Sequence, residues 1–278
     1  MRWRVLVGLS VVGLGCGATQ LGVANYEDPK VQGSATSVAH THNDSTIELP
    51  SDEQVVEPEH PMVQTPQERA TAHVHTPKDV CSGIVIGPKL VMTAHQCVPD
   101  ARGVVAVPDK DKASFRVEVA STSLTWTARH VAYVIAPACD WQQLDAALLV
   151  LDEPADWITP LKIAAAPAPG ARVQALGFGR CRGDSRPSGE RSGQIIERQS
   201  DAVEVEIGLC KGDVGGGLVD GAAGLLGIVS HQDDPDHATR QTTTGFRVDT
   251  EPVRRLLEAA ESLQKGQDAK GVGALACQ

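Results

Sequence analysis

Three short stretches hold side chains and spacings that chemistry could use. The first is Cys210-Lys211-Gly212-Asp213-Val214-Gly215-Gly216-Gly217-Leu218-Val219-Asp220, in which glycines crowd around one carboxylate. Glycine takes positive φ readily and lets backbone amides approach a bound group, so this stretch reads as a tight, functional turn. Its centre, Val214, has no nucleophilic or ionisable atom. The second is Leu144-Asp145-Ala146-Ala147-Leu148-Leu149-Val150-Leu151, a single carboxylate at the head of an apolar run. The third is Thr93-Ala94-His95-Gln96-Cys97, an imidazole and an amide just before a cysteine. Covalent acyl transfer needs an oxygen or sulfur nucleophile, an imidazole, an orienting carboxylate and oxyanion-binding amides. No Gly-x-Ser-x-Gly occurs to supply the nucleophile elsewhere.

The elements that must position these residues read as strands. Cys81 to Ala94 is two β-rich runs separated by Gly87-Pro88, a hairpin signal. Val104 to Val107, Phe115 to Val119, His130 to Ile135, Val173 to Leu176, Val203 to Ile207 and Leu225 to Ser230 are further strand-like runs between polar turns. A proline-rich connection, Pro160 to Gly170, separates two halves near residues 155 to 170. Val253, Leu256, Leu257 and Leu263 recur at helical spacing within Asp249 to Leu263. Scarce aromatics with 27 glycines and 17 prolines also favour short strands over a helical bundle.

Taken together these motifs resemble the trypsin-like serine peptidases. Cys81-Ser82-Gly83 opens a strand as in that family, Thr93 to Cys97 resembles its Leu-Thr-Ala-Ala-His-Cys segment, and Asp145-Ala146-Ala147-Leu148-Leu149 resembles Asp-Ile-Ala-Leu-Leu. Gly177-Phe178-Gly179 resembles the Gly-Trp-Gly opening of the second half, and Gly212 to Gly216 resembles Gly-Asp-Ser-Gly-Gly. The resemblance implies an all-β fold of two six-stranded antiparallel Greek-key barrels with a C-terminal α-helix, over residues 70–264. It places Asp145 at the triad aspartate, Gln96 at the histidine and Val214 at the serine, with Gly212 contributing an oxyanion amide. Gly208, Ser230, His231 and Gln232 fall on the substrate cleft; the family prefers an aromatic and a glycine at the last two positions. Gln96 is expected to donate a hydrogen bond to Asp145. With Cys97 tied to Cys81, His95 is turned away from the histidine position by about 100° on a helical turn or to the opposite face of a strand, so it is expected at the surface or behind the site.

The resemblance also assigns Cys81 to Cys97, prefers Cys181 for Cys210 and leaves Cys139 with Cys277. Zymogens of the family are cut before Ile-Val-Gly-Gly to free an amine for the aspartate matching Asp213. No such motif precedes Cys81, and Arg180 or Arg182 is the expected internal substitute.

Residues 1–15 read as an export signal, with Arg2 and Arg4 before an apolar run too short to span a bilayer. Gly15-Cys16 resembles a lipobox, which implies Cys16 as the lipidation site and the odd one of 7 cysteines; the alternative is an ordinary cleaved secretory signal and a secreted protein. Residues 16–69 read as a polar tether and 265–278 as a loose tail. His40, His42, His60, His73 and His75 lie in or just after the tether, and nothing in the sequence joins them to a fixed scaffold, so no metal site and no cofactor is expected. A net charge of −10 argues against nucleic acid. The expectation is a trypsin-like protein without peptidase activity, exported to the cell envelope, that binds an unidentified protein or peptide. The alternatives are an active serine endopeptidase whose catalytic residues lie elsewhere and a metal-responsive binding protein built on the histidines.

Overall fold

The computed structural model describes residues 65–122, 125–179, 191–210, 212–230 and 242–268. They belong to one compact unit, Val56–Gln278. The expected export signal, most of the tether, Cys16, Cys181, His231, Gln232 and Cys277 lie outside the described residues.

The last residues of the expected tether, 65–69, are among those described. A single helical turn, α1 (Pro66–Arg69), is held by a capping box in which the Thr65 hydroxyl accepts from the Glu68 amide and the Glu68 carboxylate accepts from the Thr65 amide.

The first barrel comprises β1 (Thr71–His75), β2 (Val80–Gly87), β3 (Leu90–Thr93), β5 (Arg116–Ala120), β6 (Trp126–Ala136) and β7 (Ala147–Leu151), with β4 (Gly103–Ala106) added beside β6. Pairing runs β1 to β2 to β3 to β7 to β6 to β5 and back to β1, all antiparallel. The second comprises β9 (Arg172–Leu176), β10 (Arg191–Arg198), β11 (Ala202–Val205), β12 (Gly217–Val219), β13 (Gly224–Val229) and β14 (Thr243–Arg247). It closes in the same Greek-key order, and β8 (Lys162–Ile163) joins β13 in parallel. Closure satisfies backbone groups that an open edge would leave unpaired. The expected pair of six-stranded barrels is therefore present, each with one added strand.

The connection between the halves is bound to both: the Leu161 amide donates to the Val85 carbonyl, and the Ala164 amide donates to Leu225. An apolar core fills the first barrel and continues through Leu176, Leu225 and Ile228 to the C-terminal helix, α2 (Glu251–Gln264). A second core, with Val173, Ile195, Val203, Leu218 and Leu226, fills the other barrel. α2 covers β6 and β7 and buries Val253 and Leu256, each worth about 1.5–3 kcal/mol. With the barrel interior on one side and this helix on the other, β7 is buried along its whole length and has no polar alternation. Among the described residues no helix is long and apolar enough to cross a membrane.

Candidate active site

Asp145, just before β7, is buried and accepts three hydrogen bonds. The Gln96 backbone amide reaches Oδ1 at 2.8 Å and the Gln96 side-chain amide reaches Oδ2 at 2.7 Å. From the other barrel, the Ser230 hydroxyl donates to Oδ2 at 2.6 Å. Burial pushes the Asp145 carboxyl above the usual carboxylate range, against the pull of these three bonds. The expected Gln96 to Asp145 bond is thus present, and Ser230 brings the second barrel to the same carboxylate.

Gln96 points this way because His95–Cys97 is one 3₁₀ turn pinned by the Cys81–Cys97 disulfide. The same turn sends His95 elsewhere. His95 is not at the surface: it is fully buried, with Nε2 3.1 Å from the Ala101 carbonyl and 3.1 Å from Arg102 Nη1. Burial lowers its pKa, so the ring is neutral at neutral pH. It has no hydrogen bond to Asp145 among the described residues, and it lies behind the site.

The glycine-rich turn is held by the first barrel. Ser82 is completely buried; its amide donates to the Val214 carbonyl at 2.8 Å and its hydroxyl to the Gly212 carbonyl at 2.7 Å. That hydroxyl also accepts from the Phe178 amide at 2.9 Å. Gly215 has φ +85°, and a Cβ there would lie 2.2 Å from the Ser82 carbonyl oxygen, so both conformation and contact demand glycine. Val214 is half-buried and packs against the first core. Cys97 Sγ lies 3.8 Å from the Val214 carbonyl oxygen, which joins the turn to the Gln96 segment. Among the described residues neither the Gly212 nor the Val214 amide donates a hydrogen bond. Gly208 is half-buried between buried Ile207 and Leu209.

Asp213 is paired internally. Arg180 and Arg182 lie outside the described residues, and Arg191, the first residue of β10, takes the role. Its Nη1 bonds Asp213 Oδ2 and its Nη2 donates to the Gly179 carbonyl at 2.7 Å. The amides of Gly179 and Cys210 donate to Oδ1 and Oδ2 at 2.7 and 2.8 Å. Gly177 and Gly179 leave room for this carboxylate: a Cβ on Gly179 would lie 2.4 Å from Asp213 Cγ. Cys139 and Cys210 are disulfide-bonded too, while their expected partners fall outside the described residues.

Sequence reasoning missed the staple made by Ser82 and the charge pairing made by Arg191. It also missed the carboxylate that joins two of the histidines. Glu118 on β5 stands opposite His73 on β1, so His73 and His75 belong to a strand with a fixed neighbour. The available signal was the alternation of Thr71-Ala72-His73-Val74-His75.

Two closed barrels of one topology, with Gln96, Asp145 and Ser230 meeting between them, define the trypsin-like serine peptidase fold. The chain belongs to the trypsin family: the family model described as Trypsin matches residues 59–251. No curated protein sequence matches it. Among solved structures, a Glu endopeptidase in complex with MPD is similar at 15% identity and TM-score 0.54, over 72% of this chain and 95% of that one. Human heparin binding protein is similar at 20% identity and TM-score 0.54, over 73% and 95%. A scabies mite inactivated protease paralogue is similar at 14% identity and TM-score 0.56, over 74% and 96%. At these identities the likeness is one of fold.

Proposed function

We propose that this protein is a trypsin-like fold that binds a protein or peptide partner without cleaving it. The observation that carries the reading is the amide of Gln96 on Asp145. The carboxylate that would orient an imidazole instead accepts from a group that exchanges no proton near neutral pH. Val214 adds the loss of a nucleophile, since its side chain is two methyl groups. Loss of a single triad member already costs several orders of magnitude in rate. A solved structure of this fold described as an inactivated protease paralogue is consistent with such a use of the scaffold. Another is described as a heparin binding protein. An acidic balance of 35 to 25 charged residues turns this chain away from polyanions and towards protein or peptide ligands. The disulfide-bonded state of Cys81, Cys97, Cys139 and Cys210 supports export, and with Gly15-Cys16 it supports a lipid-anchored envelope protein.

The test is labelling with a fluorophosphonate probe, which reacts only with an activated serine. The parent protein is expected to stay unlabelled, and the Gln96→His, Val214→Ser double variant to label. Labelling of the parent would return the chain to the active peptidases.

A further inference from the structure

His73, His75 and Glu118 lie on the outer face of the first barrel. On β1 Ala72 and Val74 are fully buried and point inward, which sends His73 and His75 outward together. On β5 Val117 and Val119 point inward and Glu118 outward. The register pairs His73 directly with Glu118, and one ligating atom from each of the three residues lies within 4.8 Å of the others. Among the described residues this is the one such grouping.

The orientation of each group adds to the pattern. Arg116 Nε donates to Glu118 Oε1 at 3.0 Å, while Oε2 lies 2.9 Å from His75 Nε2 and 3.9 Å from His73 Nδ1. One carboxylate oxygen is thus held by the guanidinium and the other faces both imidazoles. The three side chains are only 19, 16 and 13% exposed. Phe178, 5.1 Å from the His73 ring and edge-on to Trp126 at 5.2 Å, walls the cluster with aromatic surface.

We propose that His73, His75 and Glu118 bind one divalent transition-metal ion, with zinc the best match. Two imidazole nitrogens and one carboxylate oxygen suit zinc, whereas calcium and magnesium take oxygen ligands. Tetrahedral zinc with bonds of about 2.0–2.1 Å places its ligand atoms about 3.3 Å apart. The 2.9 and 3.9 Å separations of the two imidazoles from the Glu118 oxygen bracket that value, and all three ligating atoms lie within 4.8 Å of one another, so small side-chain adjustments are what the ion would require. Three protein ligands leave a fourth position for water or for a group from a partner. The ion would pin β1 to β5 and hold the His73 ring against Phe178, beside the glycines that enclose Asp213.

The experiment is calorimetric titration of chelator-treated full-length protein with zinc chloride, with calcium chloride as control. Three variants are compared: His75→Gln, Glu118→Gln, and the tether variant His40→Ala/His42→Ala/His60→Ala. Circular dichroism establishes that each is folded. One zinc per chain is expected, with affinity at least tenfold weaker in each of the first two variants and unchanged in the tether variant; calcium should give no saturable heat. Cobalt(II) added to the parent protein is expected to give the visible absorption of a nitrogen and oxygen site without thiolate charge transfer, a readout that needs no variant. Absence of saturable zinc binding, undiminished binding in both His75→Gln and Glu118→Gln, loss confined to the tether variant, or a thiolate signature with cobalt would each overturn the proposal.

Discussion

At Asp145 three donors meet one carboxylate, and none of the three titrates near neutral pH. The folded protein holds on to this proton more tightly than the unfolded chain because the carboxyl is buried. An acid with a raised folded-state pKa makes the fold less stable as pH rises from its ordinary value of 3.8 through the folded value. Glu118 and Asp249, whose folded pKa values are lowered, act oppositely and lose their contribution as pH falls. Asp145→Asn is therefore expected to gain on the parent as pH rises through that first window, in urea denaturation at pH 4, 5, 6 and 7. A constant difference across the series would show that burial does not shift Asp145. The residue-level arrangement was legible in the sequence because Cys97 fixes where Gln96 points. The depth of His95 was not, since it follows from the 3₁₀ turn and from Ala101 and Arg102 folding over the ring.

Among the elements, β10 contributes most through a single residue. It buries little besides Arg191 and Ile195, so its sequence offers no alternation to read, and its first residue is nonetheless the counter-charge of Asp213. Arg191→Ala would leave a buried, uncompensated carboxylate, expected to cost about 3–5 kcal/mol in guanidinium denaturation at neutral pH. Adding Asp213→Asn should recover part of that loss. Arg191→Lys should not restore full stability, because an ammonium cannot reach the carboxylate and the Gly179 carbonyl in the guanidinium's forked geometry. The β2–β3 hairpin, by contrast, was plain from Gly87-Pro88 and the apolar runs on either side. α1 was overlooked inside a polar segment, although Thr65-Pro66-Gln67-Glu68 has the spacing of a capping box. Glu118 could not be linked to His73 from the sequence, because only strand register brings residues that far apart into line.

Over the whole molecule, both halves were readable as barrels, but the contacts that lock one onto the other were not. Ser82 on β2 ties the first barrel to the glycine-rich turn and to the Phe178 segment of the second. Ser82→Ala would leave the Gly212 carbonyl and the Phe178 amide without that partner, with an expected loss of about 1–3 kcal/mol in chemical denaturation. An unchanged midpoint would mean that water replaces the hydroxyl. The Arg191 and Asp213 pair has a consequence for the history of each molecule. Both oxygens of that carboxylate are already taken by Arg191, Gly179 and Cys210 from within the folded unit. A newly cut amino terminus would find no place to dock, so the turn reaches its final form when the chain folds. The counter-charge that shapes this turn is thus carried within the folded unit itself, on the first residue of β10.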